Sequence, residues 1–220
     1  MAILDLIFPK TCLGCGREGR YLCENCISGA RAAPSNCPHC GMITPGGISH
    51  RICSKNGLDG LVSLWSYRGA VRKAILALKY RYATEIGREV GQYFCAALEK
   101  NRLPGFDFLI PVPMHWHRQN TRGFNQALQI GAEVALKMGW VLLTEAVWRT
   151  RSTRPQVELG GQNRRENLKG AFSVAPVVKV GGGAFIVFDD VFTTGSTLNE
   201  IALKLKEKGA KKVWGLTLAR

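Results

Sequence analysis

The 220-residue sequence contains no apolar run near the roughly 18 residues that cross a bilayer as a helix, so no membrane span is expected. It also lacks a basic cluster at its start. Met1-Ala2-Ile3-Leu4-Asp5-Leu6-Ile7-Phe8-Pro9 carries Asp5 and no Lys or Arg, which makes a poor secretory signal, and the expected location is cytoplasmic. Acid is scarce: 16 Asp and Glu stand against 30 Lys and Arg, a formal charge of +14. Residues 1–60 hold 6 basic and 4 acidic residues, so most of the excess, +12, falls on residues 61–220. That balance favours an anionic partner, either nucleic acid or a phosphorylated small molecule. At 46% hydrophobic residues, the chain has room for one good core plus a small accessory module.

Cysteine is nearly absent beyond residue 53. The single exception, Cys95, sits in the apolar helical stretch Val90 to Leu98 and reads as a buried small hydrophobe. The other seven are crowded into pairs: Cys12-x2-Cys15, Cys23-x2-Cys26 and Cys37-x2-Cys40, followed by His50-x2-Cys53. Each pair can offer two ligands to one metal from a tight turn, and Gly14, Gly16 and Gly41 supply turn freedom. Taken in order, they give a tetrahedral zinc site of Cys12, Cys15, Cys23 and Cys26 and a second of Cys37, Cys40, His50 and Cys53. His39 competes with His50 for the second site, interleaved pairing is an alternative, and the count is one or two structural zinc ions. A disulfide scaffold is the rival reading, but it needs an oxidising compartment that the N-terminus does not indicate. A stretch this short, with little apolar periodicity, would draw its folding energy from the metal.

A polar, Gly-rich boundary near Ser54 to Gly60 separates this module, residues 1–58, from residues 59–220, where strands and helices alternate. Leu61 to Tyr67 reads as a strand, Ala70 to Tyr80 and Thr84 to Asn101 as helices, and Phe106 to Pro113 as a buried strand. Asn125 to Met138 follows as a helix and Trp140 to Val147 as a strand. Phe185 to Phe188, Leu198 to Lys208 and Val213 to Leu218 complete a strand-helix-strand unit. The alternation predicts a doubly wound, mainly parallel α/β sheet with ligands at the strand C-terminal ends.

Within that pattern one stretch stands apart. The apolar strand Phe185-Ile186-Val187-Phe188 stops at Asp189-Asp190, and Val191-Phe192-Thr193-Thr194-Gly195-Ser196-Thr197 leads into a helix. Unpaired N–H groups and the positive dipole end at a helix N-terminus suit a monophosphate, and Gly195 allows close approach. Ionised Asp189 and Asp190 accept hydrogen bonds from sugar hydroxyls. The order of parts resembles the phosphoribosyl pyrophosphate (PRPP) motif of type I phosphoribosyltransferases. In that motif two acids hold the ribose hydroxyls and the loop holds the 5′-phosphate.

Two polar stretches join it. Strand Phe108 to Pro113 runs into Met114, His115, Trp116, His117, Arg118 and Arg122, on the expected ligand edge, where a pyrophosphate could sit. Arg149 to Lys169, with Arg149, Arg151, Arg154, Arg164 and Arg165 and few large apolar residues, reads as a long mobile loop. Trp116 and Trp148 lie among these arginines, a pattern suited to single-stranded nucleic acid.

The chain as a whole resembles the ComF family of competence-associated proteins (ComFC/GntX-like). The resemblance rests on the N-terminal cysteine pairs and on Pro111-Val112-Pro113-Met114-His115 with Arg118 and Arg122-Gly123-Phe124-Asn125-Gln126. It rests further on Thr153, Gln156, Arg164, Asn167 and Ala171-Phe172, and on Val187 to Thr197. His50 stands where the family pattern has a cysteine. The resemblance implies a zinc-ribbon module and a phosphoribosyltransferase-like domain. It also implies PRPP bound with magnesium, and handling of incoming single-stranded DNA beside the DNA-uptake machinery at the inner face of the membrane. Pro113, Met114, His115 and Arg118 would serve the magnesium-pyrophosphate, and Arg122, Arg149, Arg151, Arg154, Gln156, Arg164 and Arg165 the loop and the DNA. The alternative is an active phosphoribosyltransferase of nucleotide or cofactor metabolism. A DNA-binding module with a vestigial pocket is disfavoured by the intact acids and loop.

Overall fold

The computed structural model describes residues 9–78, 83–101, 103, 105–114, 125–150, 168–176, 178 and 180–220. Its central sheet has five strands, all parallel, lying side by side in the order β1 (Gly60–Trp65), β7 (Lys212–Ala219), β6 (Ala184–Val191), β2 (Phe108–Pro111) and β3 (Val141–Leu142). Val147–Arg149 (β4) and Phe172–Val174 (β5) form a separate antiparallel pair. The helices are α1 (Glu24–Ser28), α2 (Gly69–Ala77), α3 (Ala83–Glu99), α4 (Gln126–Met138) and α5 (Ser196–Glu207). Among the described residues no helix is long and apolar enough to cross a membrane.

Strand alternation divides the core in two. Ile186 and Phe188 of β6 share one cluster with Leu109, Trp214 and Leu216 and with residues of α2, α3 and α4. Phe185 and Val187 share the other with Ile110, Val213 and Leu198, Ile201 and Leu205 of α5, closed by Val147, Phe172 and Val174 of the β4-β5 pair. Phe185 and Phe188 are both fully buried, each stabilising the fold by about 1.5–3 kcal/mol. The sheet is thus covered on both faces, the doubly wound arrangement that the alternation of strands and helices predicts.

Local chemistry explains the helix limits that matter for the site. Asn125 caps α4, accepting from the N–H groups of Ala127 and Leu128, and Gly139 ends it in the left-handed region. Helix α5 buries Leu198, Ile201, Ala202 and Leu205, a helical stripe laid on the sheet.

Two expectations are corrected. Trp140 to Val147 is not one strand: β3 stops at Leu142, a turn at Thr144-Glu145 follows, and Val147 begins a strand of the other sheet. The polar Thr-Glu pair interrupts the apolar run and redirects the chain. Strand β6 does not end at the acids either, since it continues through Asp189 and Asp190 to Val191, held to β7 by the pairings Asp189 to Thr217 and Val191 to Ala219.

The cysteine-rich segment packs against this framework at several points. Leu22, in the first half, is buried in the cluster of α2 and α3, its N–H donating to Glu89 Oε2 at 2.9 Å. The second half meets the sheet through Ala33 N–H to Leu64 O at 2.9 Å and Ser49 N–H to Asp59 O at 2.9 Å.

Candidate functional site

The C-terminal edge of the parallel sheet holds a small open cleft lined by Asp189 and by residues 191–198. This is where unpaired strand ends and helix N-termini meet in such folds. Gly195 adopts φ 72°, and a Cβ built there would meet the Phe192 ring at 2.5 Å. Glycine is therefore required twice, for the backbone angle and for the buried ring beneath it. Phe192 N–H donates to Ala219 O at 2.9 Å, which pins the loop to the end of β7.

After Gly195 the chain enters α5, with Asn199 N–H donating to Gly195 O at 2.8 Å. Thr194 and Ser196 join hydroxyls at 2.8 Å across the turn. Asp190 N–H donates to Asp189 Oδ1 at 2.9 Å. Successive strand residues face opposite sides. Asp189 therefore shares the face of α5 and the cleft, while Asp190 has the parity of Phe188, whose ring packs near Gly131 of α4.

The neighbouring strand brings the second candidate segment to the same edge. Val112 N–H donates to Phe188 O at 2.8 Å, so Pro113 and Met114 leave the sheet beside the acid pair. Asn125 Nδ2 donates to Val112 O at 3.1 Å, closing the base of the connection between β2 and α4. Gln126 is buried and donates to Leu78 O at 2.9 Å, satisfying a carbonyl just past the end of α2. His115, Arg118 and Arg122 lie outside the described residues, as do Trp116, Arg151, Arg154, Gln156, Arg164 and Arg165. Arg149 is described, and it belongs to strand β4 rather than to a loop. Its guanidinium lies 5.5 Å from the centre of the Phe172 ring. Trp148 beside it is exposed.

The metal ligands assemble in sequence order, not interleaved. Cys12, Cys15, Cys23 and Cys26 form one group, and Cys37, Cys40, His50 and Cys53 the other, with ligand atoms within 4.8 Å of one another in each. Cys15 and Cys23 sulfurs lie 3.7 Å apart, matching the ~3.8 Å edge of a tetrahedron with Zn–S bonds of ~2.3 Å. Cys40 Sγ and His50 Nδ1 lie 3.4 Å apart, again a tetrahedral edge. Both groups are zinc-binding sites, one all-cysteine and one of three cysteines and a histidine. His39 is no competitor: its Nε2 lies 2.8 Å from Leu58 O.

Burial opposes ionisation of Cys12, yet the N–H groups of Cys23, Cys15 and Gly14 hold its thiol down at about 6. Cys37 follows the same pattern, burial being outweighed by the N–H groups of Cys40, His39 and His50, and its thiol is also held at about 6. Hydrogen bonds that the Cys26 thiol donates to Cys23, Cys12 and Cys15 favour its protonated form and push it up to about 12. Burial, then the thiols of Cys37 and Cys40, push Cys53 up to about 11. Each group thus holds one thiol ready to ionise and another that yields its proton only to a cation.

Two contributors escaped sequence reading. Asn199, in the first turn of α5, accepts Leu58 N–H on its Oδ1 at 3.3 Å. Arg220 lays its guanidinium 5.2 Å from the Phe192 ring centre, and burial pushes its pKa below the usual range. Asn125 was visible only as part of a motif. An asparagine four residues after the loop glycine was the one local signal for Asn199.

The molecule is an α/β protein with a strand-acid-loop-helix cleft and a paired metal ribbon. Residues 3–55 match the family model described as a double zinc ribbon domain. The chain is 32% identical over 206 residues to DNA utilization protein YhgH of Escherichia coli O157:H7, with 89% of each chain covered. It is 32% identical over 215 residues to Competence protein F of Haemophilus influenzae, with 90% of each covered. Identity to Competence protein ComFC of Bacillus subtilis is 26% over 218 residues, covering 90% of this chain and 84% of that protein. The chain belongs to the ComF family. Among solved structures, the glutamine PRPP amidotransferase of B. subtilis complexed with ADP and GMP is similar at a TM-score of 0.44 and 16% identity. That likeness covers 65% of this chain and 30% of the other.

Proposed function

We propose that this protein binds PRPP with magnesium and acts in DNA uptake inside the cell, binding the incoming single strand. The observation that carries the phosphosugar half is the cleft itself. Asp189, the left-handed Gly195 and the N-terminus of α5 converge on one opening at the ligand edge of a parallel sheet. In this reading the acid pair accepts the ribose hydroxyls across the end of β6, Asp189 from the cleft side and Asp190 from the α4 side, and the N–H and hydroxyl groups of residues 193–197 hold the 5′-phosphate. The pyrophosphate extends toward Pro113 and Met114, the start of the segment that includes His115 and Arg118. Magnesium bound there would neutralise the pyrophosphate.

The DNA half is supported by the +12 excess of residues 61–220 and by the names of the relatives, a DNA utilization protein and competence proteins. Exposed Trp148 supplies a ring of the kind on which bases stack. Titration of the protein with PRPP and Mg²⁺, in the presence and absence of single-stranded DNA, tests both halves. Release of pyrophosphate with a nucleobase or amine acceptor would convert the binding protein into a phosphoribosyltransferase.

A further inference from the structure

The ligand edge of the sheet carries a second set of groups, which the phosphosugar reading leaves unused. Beyond β1 the chain runs through Ser66, Tyr67 and Arg68 into α2, and β7 ends beside it at Arg220. Backbone bonds lock these together: Tyr67 N–H donates to Arg220 O at 2.8 Å, Arg220 N–H to Trp65 O at 3.1 Å, and Ser66 N–H to Arg31 O at 2.8 Å. One helical turn on, Arg72 N–H donates to Arg68 O at 3.1 Å, and the Arg72 guanidinium lies 5.9 Å from the Tyr67 ring centre. Arg31, Arg68 and Arg72 are exposed.

Elsewhere cations find carboxylates, as in Lys10 with Glu85, Lys137 with Glu99 and Lys206 with Asp59. Among the described residues, Arg31, Arg68, Arg72 and Arg220 enter no ion pair. Arg31, Arg68 and Arg72, exposed and without a carboxylate partner among the described residues, attract a polyanion, while the half-buried Arg220 beside them also faces the Cys37 thiol. Arg220 also stacks on Phe192, which lines the cleft, so the row runs up to the phosphosugar opening.

We propose that Arg31, Arg68, Arg72 and Arg220 form a ledge that carries the phosphate backbone of a single nucleic-acid strand past the cleft. This rests on the DNA half of the proposed function and assigns it a surface other than the loop arginines. The segments that carry Arg31, Arg68, Arg72 and Arg220 hold none of the exposed large apolar side chains that an anionic membrane surface would engage. Arginines beside a tyrosine ring suit a strand with unpaired bases.

The test is anisotropy of a fluorescently labelled oligothymidylate with the full chain over a salt series. The variant combines Arg31→Gln, Arg68→Gln and Arg72→Gln, and a control changes Lys208 and Lys211, near the opposite edge, to Gln. Loss of three phosphate contacts lowers the slope of log affinity against log salt by about 2 and weakens binding about tenfold or more at ~50 mM salt. The control should keep the wild-type slope, and both variants should keep their zinc and their PRPP affinity. Wild-type binding with an unchanged slope in the triple variant overturns the ledge while leaving DNA binding intact. A wild type that ignores the oligonucleotide overturns both. Loss of phosphatidylserine-vesicle binding, with DNA binding unchanged, would give the ledge to a membrane instead and overturn the proposal.

Discussion

Asn199 and Leu58 are joined by a hydrogen bond of 3.3 Å, Leu58 N–H to Asn199 Oδ1, across 141 residues of sequence. Leu58 is fully buried, its carbonyl faces His39 Nε2 at 2.8 Å, and Asn199 N–H bonds Gly195 O. The first turn of the cleft helix is therefore tied through two residues to the Cys37-Pro38-His39-Cys40 knuckle. Asn199→Ala leaves a buried N–H without its acceptor, and urea unfolding should show a loss of about 1–3 kcal/mol. Asn199→Asp, which keeps the acceptor, should recover most of it. Equal stability of the alanine variant and wild type would remove this tie.

Phe192 and Gly195 make a second coupled pair. Gly195→Ala adds a Cβ against the Phe192 ring at a position with φ 72°, so it should destabilise by about 1–3 kcal/mol and weaken PRPP binding. Phe192→Val opens space under the loop, and the double variant should recover the steric part while the backbone cost, about 1–2 kcal/mol, persists. Thermal unfolding of all four proteins measures the coupling, and strictly additive losses would show that ring and glycine do not compete.

Metal analysis should give two zinc ions per chain, and Cys12→Ser and Cys37→Ser should each remove one. Zinc binding displaces thiol protons, so affinity rises with pH and falls in acid. The Cys12 and Cys37 thiols, held at about 6, are lowered from an ordinary value of 9.0. Their thiolates thus favour the folded chain above pH 9, and this is lost progressively as pH falls through 6. Cys26 and Cys53, at about 12 and about 11, release protons to the metal across the whole neutral range. A chromogenic chelator should therefore take zinc more readily as pH falls. Release that is flat between pH 5 and 8 would contradict thiolate ligation.

The parts legible in the sequence were those set by local pattern. Apolar runs such as Phe185 to Phe188 and the helical stripe from Leu198 to Leu205 marked buried strands and a covering helix, and the cysteine spacing marked both metal groups. What stayed hidden depends on partners distant in the chain. Gly60 looks like a linker glycine, but its missing side chain admits the Trp214 ring of the neighbouring strand, which a Cβ would meet at 2.5 Å. The pairing of β4 with β5 could not be read from Trp148 or Phe172 alone, and Val147 was absorbed into the preceding strand. At the site, acids and loop were explicit in the order of residues. The alternation that puts Asp189 in the cleft and Asp190 on the α4 side appeared only once β6 was seen to run on to Val191. Asn199 and Arg220 act through contacts with Leu58 and Phe192 that no spacing encodes.

The most direct measurement is calorimetric titration of PRPP in Mg²⁺ into the wild type and into the combined Asp189→Ala, Asp190→Ala variant. The wild type should bind, and the variant should lose about 3 kcal/mol or more, a factor of at least ~100 in affinity, because each ionised acceptor contributes about 1.5–3 kcal/mol per bond. Zinc content should not change between the two. Equal PRPP affinity in wild type and variant, or no binding by a zinc-loaded wild type, would contradict the placement of a phosphosugar in this cleft.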